Sequence, residues 1–554
     1  MDDTVGRRFT WRRPEPAAAP QPAKPPERSD AYNAYADDPA LMACLDPVLD
    51  DQAEDELRAL GTFWGSSDAK EIARLAVAAG QPLVREDPYG NRIDSFDIHP
   101  AFRALLKRGV AEGLPSAAWS DSDDRRLHRL RAARLYMTAQ CERGHLLPLC
   151  GTHAAVAALV YAPNLEGELF PLIEGRVYDP FELASADKEG ILITLATAGH
   201  SPTNGPASGL RADPAGGDRL RVSGIAPFVP SPTADFFFVI AQSLDGPTAA
   251  LVPRYGGDND GTIFVDGVTE PVGMRSQAFA SIRFEGAMAR RVGDPGRGLS
   301  VLRDVRTLSE LDTTIIAAGT ARGAVVGLYE TLRERRSDDR APLAEPEVMQ
   351  SLAGMAMDVS ALTALALRLA GAFDQAFERD SDHAIARIGT PAARVYALGI
   401  AQRIALEAAE LIGPVTLRAS HPAALAAADL ATLAHWDGSA SGAATELAGL
   451  VARDPQLLRD CLDEVAAELG SAGDSVVQQI EALGEDTAGD VYFAHRFAEQ
   501  LAMLIAVTTM RRHLPRVVGD AFLANRLEGI YGHSAGAVQF EDPREVIELL
   551  LPDF

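Results

Sequence analysis

The stretch Gly273-Met274-Arg275-Ser276, then Ser281-Ile282-Arg283-Phe284-Glu285-Gly286, then Val292-Gly293-Asp294-Pro295-Gly296-Arg297-Gly298 divides the chain into two textures. Upstream, short apolar runs at 191–196, 236–241, 249–252, 263–265 and 281–284 alternate with turn-forming clusters such as Asp213-Pro214-Ala215-Gly216-Gly217 and Gly256-Gly257-Asp258. Short runs between such clusters predict the strands of a small antiparallel β domain. Downstream of Gly298 the spacing turns helical and stays so. Leu352, Met355, Val359, Leu362, Ala366 and Leu369 share one helix face and predict the apolar seam of a bundle.

Further out, residues 31–185 read as mostly helical, broken by a polar turn at Asp87-Pro88-Tyr89-Gly90-Asn91. In the first thirty residues Pro14, Pro16, Pro20, Pro22, Pro25 and Pro26 alternate with alanines and charges, a composition that cannot bury a core. The basic start, Arg7-Arg8-Phe9 and Trp11-Arg12-Arg13, is read as part of a solvated tail rather than a docking peptide. The expected organisation is a disordered tail (1–30), a helical domain (31–185), a central β domain (186–297), a helical bundle (298–450) and an extra helical domain (451–554). The fold class is mainly α with a central β domain.

At 554 residues the chain is too long for one ordinary core. Its 47% hydrophobic and 23% charged residues place it among soluble globular proteins. A formal charge of −26 repels polyanions, and residues 451–554 hold eight arginines and no lysine against eighteen acidic residues, so nucleic acid is rejected as a partner. No apolar run approaches the roughly 18 residues of a membrane span, and residues 1–29 lack the apolar core of a signal peptide. Cys44, Cys141, Cys150 and Cys461 are scattered with no disulfide or zinc spacing, so a reducing, cytoplasmic setting is expected. No HExxH or P-loop is present to suggest metal or phosphoryl chemistry.

The order helices, β domain, long bundle resembles the acyl-CoA dehydrogenases, and the 273–298 stretch is similar to that family's exit from its β domain. Two further stretches resemble the alkylation-response (AidB-like) branch. One is Asp87-Pro88-Tyr89-Gly90-Asn91-Arg92-Ile93-Asp94 with Ile98-His99-Pro100-Ala101-Phe102; the other is Asp520-Ala521-Phe522-Leu523-Ala524-Asn525-Arg526-Leu527. The matches span residues 50–540. They imply FAD held against an acyl thioester, a carboxylate that removes the α proton while the β hydride passes to the flavin, and a homo-oligomer, dimer or tetramer, because the family shares its cofactor site between subunits.

Carried over motif by motif, the resemblance assigns flavin contacts to Thr197, Thr203, Phe228, Arg336, Gly413, Trp436 and Ser439, and the base to Asp437. Each motif also departs from the family's pattern. The flavin loop, Thr-Glu-x-x-Gly-Gly-Ser-Asp in the family, reads Thr197-Ala198-Gly199-His200-Ser201-Pro202-Thr203-Asn204; Pro202 fixes φ and removes an N–H donor. The Lys-Trp beside the flavin ring becomes Ala226-Pro227-Phe228, where Phe228 is either a partial substitute or a core aromatic. The partner-facing Arg-x-x-Phe-Gly becomes Arg336-Ser337-Asp338-Asp339-Arg340, and Gly-Gly-x-Gly becomes Gly413-Pro414-Val415-Thr416. The base motif survives as Trp436-Asp437-Gly438-Ser439, its carboxylate one methylene short; Asp437 is either the base or an inherited carboxylate. His200 and His435 fall near the site as possible acid–base groups or as incidental polar residues.

Two functions compete on these residues. One is a flavin-dependent α,β-dehydrogenase of an acyl thioester. The other is a flavin-free relative, serving as a structural or interaction protein or reusing the cavity for non-redox chemistry, because every flavin-contacting motif has lost a group.

Overall fold

The computed structural model describes residues 32–120, 124–197, 209–256, 259–335, 342–470, 473–529 and 534–552. Helices come first, and their starts are written in the sequence. Asp38, Asp50 and Ser66 cap Pro39–Leu45, Asp51–Gly65 and Ser67–Ala79 by accepting from the backbone N–H of Leu41, Ala53 and Ala69. The helices Pro100–Ala111, Leu127–Cys141, Leu146–Leu159 and Pro163–Glu174 complete this layer.

Between them, the polar turn at 87–91 closes a hairpin of β1 (Leu83–Glu86) and β2 (Arg92–Phe96). Asp87 holds it by accepting from the N–H groups of Tyr89 and Asn91, both at 2.8 Å, and Gly90 sits at φ +85°. The hairpin grips the β domain: Arg85 and Arg92 donate to the Val265 carbonyl, and Asp94 accepts from the Val265 N–H.

The β domain comprises β3 (Ile193–Leu195), β4 (Arg211–Pro214), β5 (Arg219–Pro230), β6 (Phe236–Ser243), β7 (Gly246–Pro253), β8 (Ile263–Thr269) and β9 (Phe279–Val292). Its order is β3-β6-β4-β5-β9-β7 with β8 on β9, and β6 also pairs β7, which closes the ring. The antiparallel expectation needs one correction: β3 and β4 run parallel to β6. Both reach β6 over long connections, so hairpin geometry does not constrain them. The barrel has its own core, including Phe237, Val239, Ile282 and Phe284.

Gly298 begins the first bundle helix, Gly298–Glu334; a Cβ there would lie 2.5 Å from the Ala249 nitrogen, so glycine lets the helix start against β7. Helices Pro346–Gln375 and Thr390–Ile412 pack against it, and Ala494–His513 packs on those two. The six seam residues from Leu352 to Leu369 are all buried. The reading that no segment has a membrane span's apolarity is corrected here, because 18 residues within Pro346–Gln375 average a hydropathy of 1.4. Leucines at helical intervals, with alanines between them, supply that apolarity without a continuous apolar run, and 94% of the window is buried inside the protein.

A second, larger core runs from Tyr32 to Leu551 and continues across residue 450 through Leu447, Leu450, Leu457 and Cys461. Buried Arg322 links both ends of the described chain to the bundle, pairing with Asp38 at 3.1 Å and donating to the Leu550 carbonyl at 2.8 Å. In the carboxy-terminal stretch, Arg526 reaches back to Asp358 with two hydrogen bonds of 3.0 and 2.8 Å.

Candidate active site

The site is built on the turn Trp436-Asp437-Gly438-Ser439, which follows helix Pro422–Leu433 and precedes Ala440–Arg453. Asp437 has φ +43° and Gly438 φ +126°, so the chain passes through left-handed geometry that short polar side chains and glycine tolerate. Arg394, fully buried at the start of Thr390–Ile412, holds the turn. It donates to the Trp436 carbonyl at 3.0 Å, the Ala434 carbonyl at 3.3 Å, and the Thr313 hydroxyl at 2.9 Å.

The Asp437 side chain is completely enclosed. One oxygen accepts from Thr197, at the end of β3, at 2.6 Å, and the other accepts from Ser309 on the first bundle helix. Arg306 Nε lies 3.8 Å away. The turn, the β domain and the bundle therefore meet on one carboxylate.

Glu310 extends the cluster. Burial, then Glu446, push its carboxyl up to about 8, with Asp437 adding to the shift and Arg394 and Arg306 opposing it. Glu446, on Ala440–Arg453, is raised by burial against the pull of Arg303, Arg306, Arg387 and Arg453. Burial lowers the Arg394 pKa, opposed by Glu310 and Asp437. Three carboxyl groups and several arginines thus share a poorly solvated space, where proton positions respond strongly to a ligand.

The other sequence-derived positions lie as follows. Trp436 is buried, and its indole N–H has no partner among the described residues. Exposed Ser439 caps Ala440–Arg453 by accepting from the Gly442 N–H. Phe228 projects at a bulge in β5, 58% exposed and at φ +51°. Gly413, at φ +90°, ends Thr390–Ile412, roughly 28 Å along the helix from Arg394 at the helical rise, and a Cβ there would meet nothing within 4 Å. His435 is exposed. Thr203, Arg336 and His200 lie outside the described residues. Sequence reasoning missed Ser309, Glu310, Arg394 and Glu446. The only signal was Arg306 and Glu310 four apart on one helix face, which also describes any surface ion pair.

As a flavin cradle the described residues fit poorly. The Thr197 hydroxyl is committed to Asp437, the Phe228 ring faces solvent, and Pro414 has no N–H. Phe228 and the open space at Gly413 are what remains for an isoalloxazine and a dinucleotide. Among the described residues, no group of three or more His, Cys, Asp or Glu is arranged to hold a metal.

A helical layer, a closed β domain and a long helical bundle, in that order, are the architecture this chain shares with acyl-CoA dehydrogenases. The chain belongs to the acyl-CoA dehydrogenase superfamily, in its AidB-like branch. Residues 24–180 match the family model described as the adaptive response protein AidB N-terminal domain, and residues 296–445 match the acyl-CoA dehydrogenase C-terminal domain. The chain is 27% identical over 389 residues to the putative acyl-CoA dehydrogenase AidB of Escherichia coli, covering 69% of this chain and 71% of that protein. Its fold is similar to Caenorhabditis elegans ACDH-11 solved in complex with C11-CoA, with a TM-score of 0.79, 17% identity, and coverage of 100% and 96%. Butyryl-CoA dehydrogenase from Megasphaera elsdenii aligns at a TM-score of 0.57 and 17% identity over 73% of this chain and 98% of that one.

Proposed function

We propose that the protein binds an acyl thioester beside the Asp437 cluster and performs proton chemistry at the carbon α to the thioester carbonyl, with FAD held weakly or not at all. The observation that carries this reading is the enclosed carboxylate joining Thr197, Ser309 and the Trp436–Ser439 turn. A buried carboxyl cluster at that junction suits removal of a weakly acidic C–H proton, because desolvation brings carboxyl pKa values closer to that of a carbon acid. Membership of the superfamily, and the C11-CoA bound by the C. elegans neighbour, support a thioester as the ligand. Among the described flavin positions, Thr197 is committed to Asp437, Phe228 is exposed and Pro414 lacks an N–H, so the proposed chemistry is proton transfer alone.

The protein is further proposed to act as a cytoplasmic homo-oligomer, since Gly413 lies too far from the carboxylate cluster to serve the same site within one chain. A stable monomer in sedimentation at micromolar concentration overturns that part.

The test of the main reading is a pair of titrations on the purified protein, one with C11-CoA by calorimetry and one with FAD by flavin fluorescence and thermal shift. Saturable C11-CoA binding without tight FAD binding is expected. Stoichiometric FAD retained through purification restores the flavin-dependent dehydrogenase. Loss of thioester binding favours a flavin-free scaffold instead.

A further inference from the structure

A cleft of about 650 Å³ shares no residue with the Asp437 cluster. It lies where helices Pro346–Gln375, Asp380–Ala384, Pro455–Leu469 and Ala494–His513 meet, with Arg129 and Cys44 in its wall. Gly371 gives Arg129 room to lie across Pro346–Gln375, since a Cβ there would come 3.1 Å from the Arg129 Cδ. The basic groups of the cleft are committed. Arg129 pairs with Asp374 at 3.0 Å, and Arg368 pairs with Asp382 and Glu464 at 2.7 Å each. Arg512 pairs with Glu468 at 3.0 Å and Glu464 at 3.4 Å, and Arg379 lies 4.0 Å from Asp382. Burial, then Arg512, Arg129 and Arg368, lower the His513 pKa against the pull of Glu468, so the imidazole adds no charge at neutral pH.

Asp380, Asp460 and Asp463 also line the cleft, with no cationic partner among the described residues. With Asp374, Asp382, Glu464 and Glu468 already paired, four arginines meet seven carboxylates. Helix Pro346–Gln375 ends in the same wall without a basic residue in its last turn, so its carbonyl pole adds to the negative potential. Phe377, between the lining residues Gln375 and Arg379, is fully exposed. The cleft thus asks for a cation with an apolar side.

One segment of this chain has that chemistry. Arg7-Arg8-Phe9-Thr10-Trp11-Arg12-Arg13 sets four guanidinium groups around two aromatic rings, in a protein of net charge −26. It lies outside the described residues, which begin at Tyr32. The Tyr32 hydroxyl donates to Gln140, and Arg129 is eleven residues earlier on the same helix, roughly 17 Å away at the helical rise. The connection 14–31 spans at most roughly 60 Å, so residues 7–13 are within reach of the cleft.

We propose that residues 7–13 dock in this cleft within their own chain. Arg7, Arg8, Arg12 and Arg13 meet Asp380, Asp460 and Asp463, and the Phe9 and Trp11 rings pack on Phe377. The basic start, read from sequence alone as solvated, acquires a counterpart that only the fold assembles. Each exposed ion pair is weak, but the tether holds the segment at an effective concentration of about millimolar, so a few pairs suffice. The docking is independent of the thioester reading.

The ordinary alternative is a solvated tail beside a water-filled cleft, and trypsin separates the two. The bonds after Arg8 and Arg12 lie inside the docked segment, and the bond after Arg28 lies outside it as a reference. Full-length protein and its Asp380→Asn/Asp460→Asn/Asp463→Asn variant are digested briefly at about 0.05 M and about 1 M salt, where charge pairs are screened. Mass spectrometry times each cut. At low salt, cleavage after Arg8 and Arg12, relative to Arg28, is expected to be about tenfold slower in the wild type than in the variant. About 1 M salt should erase that protection in the wild type, a readout that needs no variant. Equal ratios in the two proteins at low salt, or a wild-type ratio indifferent to salt, overturn the docking. Protection that fades on dilution overturns its placement within one chain and assigns the cleft to the tail of a second copy.

Discussion

The hydroxyl of Thr197 donates to Oδ1 of Asp437 at 2.6 Å, joining residues 240 apart in sequence and two separate cores. With the Ser309 hydroxyl on the second oxygen, the carboxylate is a structural joint as much as a chemical group. Asp437→Ala removes the acceptor of both hydroxyls inside an enclosed space, at an expected cost of about 2–4 kcal/mol. Asp437→Asn keeps one acceptor and loses about half as much. Urea denaturation of the two variants measures this, and an alanine variant within 0.5 kcal/mol of wild type, roughly the spread of neutral surface changes, contradicts the joint.

A second joint lies in the stretch that decides the fold. The Gly273 N–H donates to the Thr432 hydroxyl at 2.9 Å, and the Met274 N–H donates to Asp429. Asp429 also pairs with buried Arg143 at 2.6 Å, so the β domain is fastened to helix Pro422–Leu433 and the amino-terminal layer at one point. A Cβ on Gly273 would lie 2.2 Å from the Ala428 carbonyl carbon, a backbone atom that cannot rotate away. Gly273→Ala is therefore expected to cost about 2–3 kcal/mol by overpacking. Limited proteolysis should show earlier cleavage near 270–276, and an unchanged digestion pattern with unchanged stability removes the joint.

The joints explain what the sequence made legible. The run 236–241 is apolar on both faces because β6 is buried, and it stands out, whereas 281–284 alternates buried Ile282 and Phe284 with half-buried Ser281 and Arg283. β5 escaped notice because Gly224 and Pro227 interrupt it after Leu220 and Val222, leaving no apolar run bounded by turn residues. The 87–91 turn was visible, while its strands were too short and too exposed to announce themselves. At the site, Trp436-Asp437-Gly438-Ser439 is a local motif and can be read directly. Ser309 and Arg394 reach the turn from 128 and 42 residues away, and nothing in a helix containing serine, glutamate and arginine says which of them points inward.

A pair of buried imidazoles sets the acid response. Burial, then His153 and Arg131, hold His128 down to about 3 against the pull of Asp312, and its Nδ1 has no partner among the described residues. Burial and Arg131 also lower His153, again against Asp312. The unfolded chain takes up these protons near 6.5 and the folded chain does not, so the unfolded state binds more protons below that pH. Stability is then full above about pH 6.5 and is lost as the pH falls toward 3, at up to ~1.4 kcal/mol per pH unit for each such histidine. His128→Phe, filling the space beside Phe373 and Trp119, should flatten the decline by about one proton. Denaturation free energies at pH 7, 6 and 5 decide the matter, and identical slopes in the two proteins refute it.

Arg394 is the positioning residue whose loss should be felt in the turn and not in the barrel. Its guanidinium spans the Ala434 and Trp436 carbonyls and the Thr313 hydroxyl, so one planar group ties two helices to the residue before Asp437. Arg394→Met keeps most of the volume but leaves two carbonyls without this donor and removes a positive charge near Glu310 and Asp437. The expected loss is about 3 kcal/mol. Without the clamp, Asp437 can leave φ +43° for a more relaxed backbone, which releases Thr197 and Ser309 as well. Amide hydrogen exchange should therefore accelerate at 434–440 and at the Thr197 end of β3, while β5 and β9 keep their protection. Arg394→Lys restores the charge but not the fork, so it should recover only part of the stability and leave the 434–440 amides fast. If Lys restores full protection, or if Arg394→Met speeds exchange evenly across the protein, the clamp is a generic packing contact and the turn is held by something else.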